Sequence, residues 1–123
     1  MPPLTQSGDS PPTAIRLRRR SRVVEVDFAD GTRYSFSFEY LRTHSPSAEV
    51  QGHGPGQRMY FGGKKSVGIT AVEPVGHYAV RLVFDDGHDS GIYSWDYLFQ
   101  LGAEYGFRWA EYLAALASRG LSR

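Results

Sequence analysis

Apolar and polar residues alternate in two separate stretches of this chain. In residues 24–28 every second side chain is apolar (Val-x-Val-x-Phe), and the same holds in residues 80–84 (Val-x-Leu-x-Phe). A period of two is that of a strand with one buried face. Each run is followed by an Asp-Gly turn signal. We therefore predict three antiparallel strands over residues 13–37, and a second strand group that starts near residue 69 and ends with a brief strand at 91–93.

Two serines predict the starts of helices. Ser37 and Ser94 each follow a strand, and each is followed two residues later by an acid, Glu39 or Asp96. A serine hydroxyl caps free N–H groups at a helix start, where a negative charge is also favoured. The first helix is predicted to be short and to end near His44, because Pro46 disfavours helical geometry at the residue before it.

The last helix is predicted over residues 107–119. Its apolar residues at helical spacing predict a stripe that faces the core. The stripe consists of Trp109, Tyr112, Leu113 and Leu116.

The chain repeats one unit. Residues 24–31 align with 80–87, and "SFEYL" at 37–41 returns as "SWDYL" at 94–98. Because each element satisfies local folding rules, we interpret the repeat as scaffold and not as a site. The predicted fold is α+β, with a small, mostly antiparallel sheet built from two similar strand-turn-strand-helix units and a C-terminal helix. Residues 13–123 form the single predicted domain, and proline-rich residues 1–12 a disordered lead-in.

Composition narrows the classes of function. The net charge is +1 and there is no cysteine, which excludes disulfides, thiolate metal sites and thiol nucleophiles. No apolar run approaches the roughly 20 residues of a membrane span. The first residues lack the basic-then-apolar pattern of a secretory signal. We therefore expect a cytoplasmic protein without a membrane partner.

The motifs "LRTHSPS" (41–47) and "GHYAVRLVFDDGH" (76–88) carry a family resemblance. With their surroundings, residues 13–101 resemble the gamma-butyrobetaine hydroxylase-like N-terminal domain family, a domain of unknown function. The resemblance implies a structural zinc site in metal-binding members, made by three cysteines and one histidine. Those positions correspond to Ser45, Ser47, Val50 and His88 here. Serine and valine cannot replace thiolates as zinc ligands, so we expect a standalone member without the zinc-binding cysteines.

The resemblance also bears on catalysis. In the hydroxylases this domain precedes a separate catalytic domain that binds iron and 2-oxoglutarate through two histidines and a carboxylate. Some iron–sulfur carrier proteins with a phosphate-binding loop carry a similar domain. This sequence has no His-x-Asp pair and no Gly-x-x-x-x-Gly-Lys-Ser/Thr. We therefore predict that the chain is not an enzyme.

Histidines offer one route to a metal site. His44 and His88 flank the position of the family zinc, and Asp86 or Asp89 could add a carboxylate ligand. The alternative is that neither histidine binds a metal. His44 would then cap a helix end as a cation, and His88 would bond to a serine or to backbone in a turn. We expect no cofactor, with zinc or iron as the alternative, and elemental analysis separates the two.

Basic and aromatic residues suggest partner surfaces. Arginines are dense over residues 16–22, and glycine-rich residues 49–68 form a predicted long loop. The glycine cluster at 52–56 lacks the strand and helix context of a phosphate-binding loop. The candidate interaction surface consists of His53, Arg58, Tyr60, Phe61, Lys64 and Lys65.

The predicted function is that of a non-catalytic accessory or protein-interaction module, whose partner is another protein or a second copy. One alternative is a metal-binding module linked to iron-dependent oxygenases or iron–sulfur maturation. Another is a small nucleic-acid-binding protein, which would show salt-dependent binding. A hydrolase using Ser45 or Ser47 with His44 or His88 as base is disfavoured, because no nucleophile-elbow pattern is present.

Overall fold

The computed structural model describes residues 11–52 and 58–123. The predicted lead-in therefore lies outside the described residues except for residues 11 and 12. The strands are β1 (Ala14–Arg18), β2 (Val23–Asp27), β3 (Arg33–Ser37), β4 (Ile69–Val75), β5 (Ala79–Phe84) and β6 (Ile92–Ser94). The helices are α1 (Phe38–Thr43), α2 (Ala48–Gln51), α3 (Trp95–Ala103) and α4 (Tyr105–Ser118).

The strands form two antiparallel sheets of three, in the orders β1-β2-β3 and β4-β5-β6. The predicted α+β class and the meander are confirmed, and each repeated unit supplies one sheet. In the first sheet Val24 pairs with Phe36 and Val26 with Tyr34. Val24, Val26 and Phe36 are buried, as their alternation with polar residues predicts.

Both predicted helix starts are confirmed. The Ser37 hydroxyl accepts a hydrogen bond from the backbone N–H of Tyr40 at 3.0 Å. The Ser94 hydroxyl accepts one from the N–H of Tyr97 at 3.1 Å. α1 ends at Thr43 with His44 as its C-cap, as predicted.

The two units also share a bond that fixes each helix to its sheet. The N–H of Phe38 donates to the carbonyl of Arg22 at 3.2 Å, and the N–H of Trp95 donates to the carbonyl of Tyr78 at 3.2 Å. The equivalence of the two bonds supports the interpretation of the repeat as scaffold.

One core unites the two sheets with α1 and α3. Its side chains come from both units, so neither unit buries its apolar face alone. Among its members are Val24, Val26, Phe28, Phe36, Leu41, Val80, Leu82, Phe84, Leu98 and Leu101. No helix within the described residues is long and apolar enough to cross a bilayer.

The C-terminal helix differs from its prediction. α4 begins at Tyr105, and Tyr112 and Leu116 are buried. The placement of Leu113 in the core is wrong, because its side chain is 39% exposed. Trp109 is half-buried and packs against the core.

The edge strand β4 is irregular. Its pairing with β5 shifts register between Ile69 and Ala71, and Pro74 lies within the strand. Proline has no N–H to donate, so within a sheet it is found mainly on edge strands such as β4 and at bulges.

We expect Gly102→Ala in α3 to destabilise the fold by about 1–3 kcal/mol, as overpacking does. A Cβ at Gly102 would lie 2.2 Å from Cδ2 of Tyr34. Gly106→Ala in α4 is the matched control, because a Cβ there meets no atom within 4 Å, and it should stabilise the helix by at most about 1 kcal/mol. Urea denaturation of the two variants measures the difference. Equal stabilities would contradict the close packing of Tyr34 on α3.

Candidate functional site

A closed ring of hydrogen bonds occupies the position where the sequence resemblance implied a zinc site in metal-binding members. His88 Nδ1 lies 2.9 Å from Glu49 Oε1, and His88 Nε2 lies 2.9 Å from the Ser45 hydroxyl. Ser45 accepts from the N–H of Ser47 at 3.2 Å, and the Ser47 and Ser90 hydroxyls are 2.9 Å apart. Ser90 donates to Glu49 at 3.3 Å and completes the ring. The ring ties the segment after α1 to the turn between β5 and β6.

The order carboxylate, imidazole, hydroxyl in Glu49, His88 and Ser45 resembles a hydrolase triad. Ser45, however, is 0% exposed, and a Cβ at Gly91 would lie 2.5 Å from its hydroxyl oxygen. A nucleophile needs space for the reacting carbon beside it. The structure thus brings Ser45 and His88 together, as the hydrolase alternative required, but leaves no room for a substrate at the hydroxyl.

The side chains present do not fit a zinc ion. Both ring nitrogens of His88 are already bonded, one to Glu49 and one to Ser45. Serine hydroxyls stay neutral near pH 7, and Val50 is buried hydrocarbon. Within residues 11–52 and 58–123, no group of three or more histidine, aspartate or glutamate side chains is arranged to hold a metal ion. His88 does bond to a serine, as the alternative to a metal role expected, and the absence of a metal stays a prediction.

An ion-pair cluster lies beside the ring. Asp86 Oδ2 is 2.8 Å from Arg42 Nε and 2.6 Å from Lys64 Nζ. The Arg42 side chain is only 9% exposed and lies over the ring of Phe61, 5.4 Å from its centroid. Burial raises the pKa of Asp86, but the bonds from Lys64 and Arg42 outweigh burial and lower that pKa to about 2. Burial of the His88 imidazole, together with the charge of Arg42, lowers the pKa of His88.

His44 lies in an aromatic cluster and not in the ring of hydrogen bonds. Its ring centroid is 4.5 Å from that of Tyr40 and 6.1 Å from that of Tyr112. Its Nδ1 bonds to the Tyr40 carbonyl at 3.1 Å, while Nε2 is buried and has no partner among the described residues. Burial first, and then the charges of Arg58 and Arg108, lower the pKa of His44 to about 3. His44 is the C-cap of α1, as expected, but its expected cationic state is wrong, because the lowered pKa leaves the imidazole neutral near pH 7.

Most side chains of the candidate interaction surface make contacts within the protein itself. His53 lies outside the described residues. Arg58 donates to the carbonyl of Thr43 at 2.8 Å. The Tyr60 ring lies between two guanidinium groups, 5.1 Å from Arg58 and 5.2 Å from Arg119. These contacts anchor the start of the 58–68 segment.

The rest of that surface divides in two. Phe61 and Lys64 join the ion-pair cluster through Arg42 and Asp86. Lys65 is exposed. Of the five candidates that the structure describes, Lys65 alone is classed as exposed, so an interaction through this segment remains a prediction.

The outer face of α4 is an apolar surface that the sequence analysis missed. Phe107 is 71% exposed and Leu113 39% exposed. Four small residues, also exposed, share their side of the helix at spacings of three and four. We call this set the α4 face: Gly106, Phe107, Ala110, Leu113, Ala114 and Ala117. Plotting every apolar residue on a helical wheel would have revealed it, because α4 is apolar on two sides.

The comparisons with known proteins agree with the fold. The model of the family described as gamma-butyrobetaine hydroxylase-like, N-terminal, matches residues 15–99. Among curated proteins, none matches this chain.

Three solved structures are similar to the chain. A crystal structure of a protein of unknown function from the DUF971 family of Acidithiobacillus ferrooxidans is 42% identical, with a TM-score of 0.68, and covers 81% of this chain and 100% of its own. Two NMR solution structures are 48% and 46% identical, with TM-scores of 0.79 and 0.80. They cover 93% and 98% of this chain, and 90% and 91% of their own.

Proposed function

This chain belongs to the gamma-butyrobetaine hydroxylase-like N-terminal family, and we propose that it is a non-catalytic accessory module that acts through protein–protein contact, beginning with a second copy of itself. The observation that carries the proposal is the α4 face. Phe107, at 71% exposure, is the kind of large apolar side chain that anchors interfaces. An exposed apolar face of this kind marks an interaction site.

The α4 face is self-complementary. If two α4 helices pair antiparallel about a two-fold axis at Ala110, Phe107 of each chain lies level with Leu113 of the partner subunit. Gly106 then lies level with Ala114 of the partner subunit, so small residues oppose small residues. A two-fold interface requires this kind of complementarity, because one surface must fit itself. Small residues let two helices approach closely, and Phe107 fills the space beside them.

The size of the α4 face predicts a weak dimer. α4 has 14 residues, and at 1.5 Å per residue it is about 21 Å long. One helix face buries less than the roughly 800 Å² per partner of a standard interface. We therefore expect an equilibrium between monomer and dimer in the micromolar to millimolar range, with Phe107 as its main determinant.

The absence of cysteine from the sequence makes cross-linking a clean test. In Ala110→Cys the two introduced thiols meet at the two-fold axis, so mild oxidation should convert the protein to a disulfide-linked dimer. Ala29→Cys, at an exposed turn residue between β2 and β3, is the matched control and should stay largely monomeric. Adding Phe107→Asp to Ala110→Cys should slow cross-linking about tenfold or more, and it should abolish the dimer in sedimentation equilibrium.

Two results would overturn self-pairing. One is a monomer at about 1 mM, where a contact worth 4 kcal/mol would be half-formed. The other is equal cross-linking of Ala110→Cys and Ala29→Cys. A monomer that captures another protein only when Phe107 is intact would assign the α4 face to that protein instead.

We further propose that the module works without a resident metal. The ring of hydrogen bonds among Ser45, His88 and Glu49 supports this, because it satisfies the histidine that a metal would need. The ring then acts as the structural link that the resemblance assigns to zinc in metal-binding members.

A further inference from the structure

A second surface, unrelated to the α4 face, concentrates positive charge without counter-charge. On the first sheet, Arg16, Arg18 and Arg33 are paired with Glu25 and Asp27. The basic residues around the β1–β2 turn are different. In the part of the chain that the structure describes, none of the following makes an ion pair: Arg19, Arg20, Arg22 and Lys65.

Two of these cations line a cleft at the start of α1. The cleft has a volume of about 230 Å³, and Arg22, Lys65, Ser21 and Arg123 are among its lining residues. Arg22 donates to the carbonyl of Val67, which positions its guanidinium without neutralising it. Lys65 and Ser21 are exposed, so both can turn toward a ligand.

The acid in the cleft, Glu39, is already satisfied. Arg123 Nε and Nη2 bond to its carboxylate, with a distance of 2.8 Å from Nη2 to Oε1. The Tyr112 hydroxyl donates to its other oxygen at 2.8 Å. Glu39 is only 5% exposed. The negative charge of Glu39 is therefore balanced by Arg123, and the positive charges of Arg22 and Lys65 have no carboxylate paired with them among the described residues.

The backbone at Arg22 indicates that its side chain is needed. Arg22 has φ of 60°, and among the described residues every other positive φ belongs to a glycine. This conformation is unfavourable for an L-residue, because the Cβ atom crowds the backbone, whereas glycine adopts it freely. Glycine at position 22 would relieve this strain, so the arginine side chain must offset it, in part through its bond to Val67 and its contact with the Phe38 ring, whose centroid lies 5.5 Å from the guanidinium carbon. Strain of this kind clusters at binding sites.

We infer that this cleft binds the phosphate group of a small phosphate monoester. Arginine binds phosphate oxygens in a bidentate fork, and lysine adds a mobile point charge. The Ser21 hydroxyl supplies a further donor. The volume is below that of pockets for drug-sized ligands, so it suits one phosphate and a small attached group. A dianionic phosphate is favoured over a monoanionic carboxylate, because two unpaired cations face the cleft.

NMR titration with inorganic phosphate, at constant ionic strength set by sodium chloride, tests the inference. We expect saturable shifts confined to amides around Ser21, Arg22, Phe38 and Lys65, with a dissociation constant of about 1 mM or lower. Acetate at equal concentration should bind at least about tenfold more weakly, since it offers one negative charge and two oxygens.

Variants identify the residues. Arg22→Gly relieves the left-handed backbone but loses the bond to Val67 and the contact with Phe38, so we expect it to fold with a stability close to that of the parent, yet it should lose about tenfold in phosphate affinity, or 1.4 kcal/mol. Lys65→Gln, at an exposed site, should lose a similar factor. Arg33→Gln is the matched control, since that arginine is exposed and paired with Asp27, and its affinity should equal that of the parent.

Three outcomes would overturn the inference. One is the absence of saturation by phosphate. Another is parental affinity in both Arg22→Gly and Lys65→Gln. The third is a single-stranded oligonucleotide that binds far more tightly than phosphate, with shifts spread over Arg19 and Arg20, which would assign the surface to a nucleic-acid backbone.

Discussion

Lowering the pH from 6.5 to about 4.5 is expected to reduce the free energy of unfolding by about 2 kcal/mol through His44 alone. In the folded chain, burial lowers the pKa of His44 to about 3, whereas its ordinary value is 6.5. Between these values the unfolded chain binds one more proton than the folded chain. The contribution is fully present above pH 6.5, and it falls by about 1.4 kcal/mol per pH unit until the pH nears 3.

Urea denaturation followed by tryptophan fluorescence, at a series of pH values between about 4 and 7, measures this dependence. His44→Phe and His44→Gln both remove the titrating imidazole but pack differently against Tyr40 and Tyr112. We expect different stabilities at pH 7 and the same loss of slope, about 1.4 kcal/mol per pH unit. A parental slope in both variants would show that His44 does not drive acid unfolding. A smaller slope in the same direction should persist, because burial also lowers the pKa of His88.

Replacing Asp86 should be the most damaging conservative substitution in the ion-pair cluster. Asp86→Asn keeps the size of the side chain and an oxygen for the N–H of His88, which bonds to Oδ1 at 3.2 Å. It removes the charge opposite Arg42, whose Nη1 already has no partner among the described residues. Leaving a buried cation unpaired costs roughly 3 kcal/mol, and Asp86 is partly solvated, so we expect about 2–3 kcal/mol.

Asp89→Asn is the matched control for Asp86→Asn. Asp89 is 60% exposed, and its oxygen lies 3.6 Å from Arg81, so its loss should change stability by less than about 0.5 kcal/mol. The double variant Arg42→Met with Asp86→Asn should recover much of the stability, because it no longer buries a charge. Thermal or urea denaturation gives all three values. Equal effects of the two aspartate substitutions would show that Asp86 has no special role.

Local rules predicted the scaffold because the groups that decide it are close in sequence. Ser37 caps the N–H of Tyr40 three residues later, and the turn and strand patterns act over similar distances. The role of His44 could not be predicted this way. Its neutral state depends on burial beside Tyr112 and on the charges of Arg58 and Arg108, and of these Tyr112 and Arg108 lie more than 60 residues away along the chain.

In the candidate sites, too, features set by neighbouring residues were predictable and features set by distant contacts were not. Family resemblance pointed to Ser45 and His88, but Glu49, which completes the ring, falls in a stretch predicted as loop and found to be α2. The periodicity of α4 predicts a single apolar stripe that includes Leu113. The helix in fact has two apolar sides, and Leu113 lies on the exposed side while Tyr112 and Leu116 lie on the buried one. The phosphate cleft depends on the positive φ of Arg22. The sequence could not predict it, because a positive φ is expected for glycine and not for arginine.

The irregularity of β4 affects the tendency of the protein to aggregate at high concentration. A free strand edge can template further strands and so begin fibrils. On β4 the register shift after Ile69 and the missing N–H of Pro74 interrupt that edge. We therefore expect this edge of the second sheet to be a poor template for the growth of fibrils.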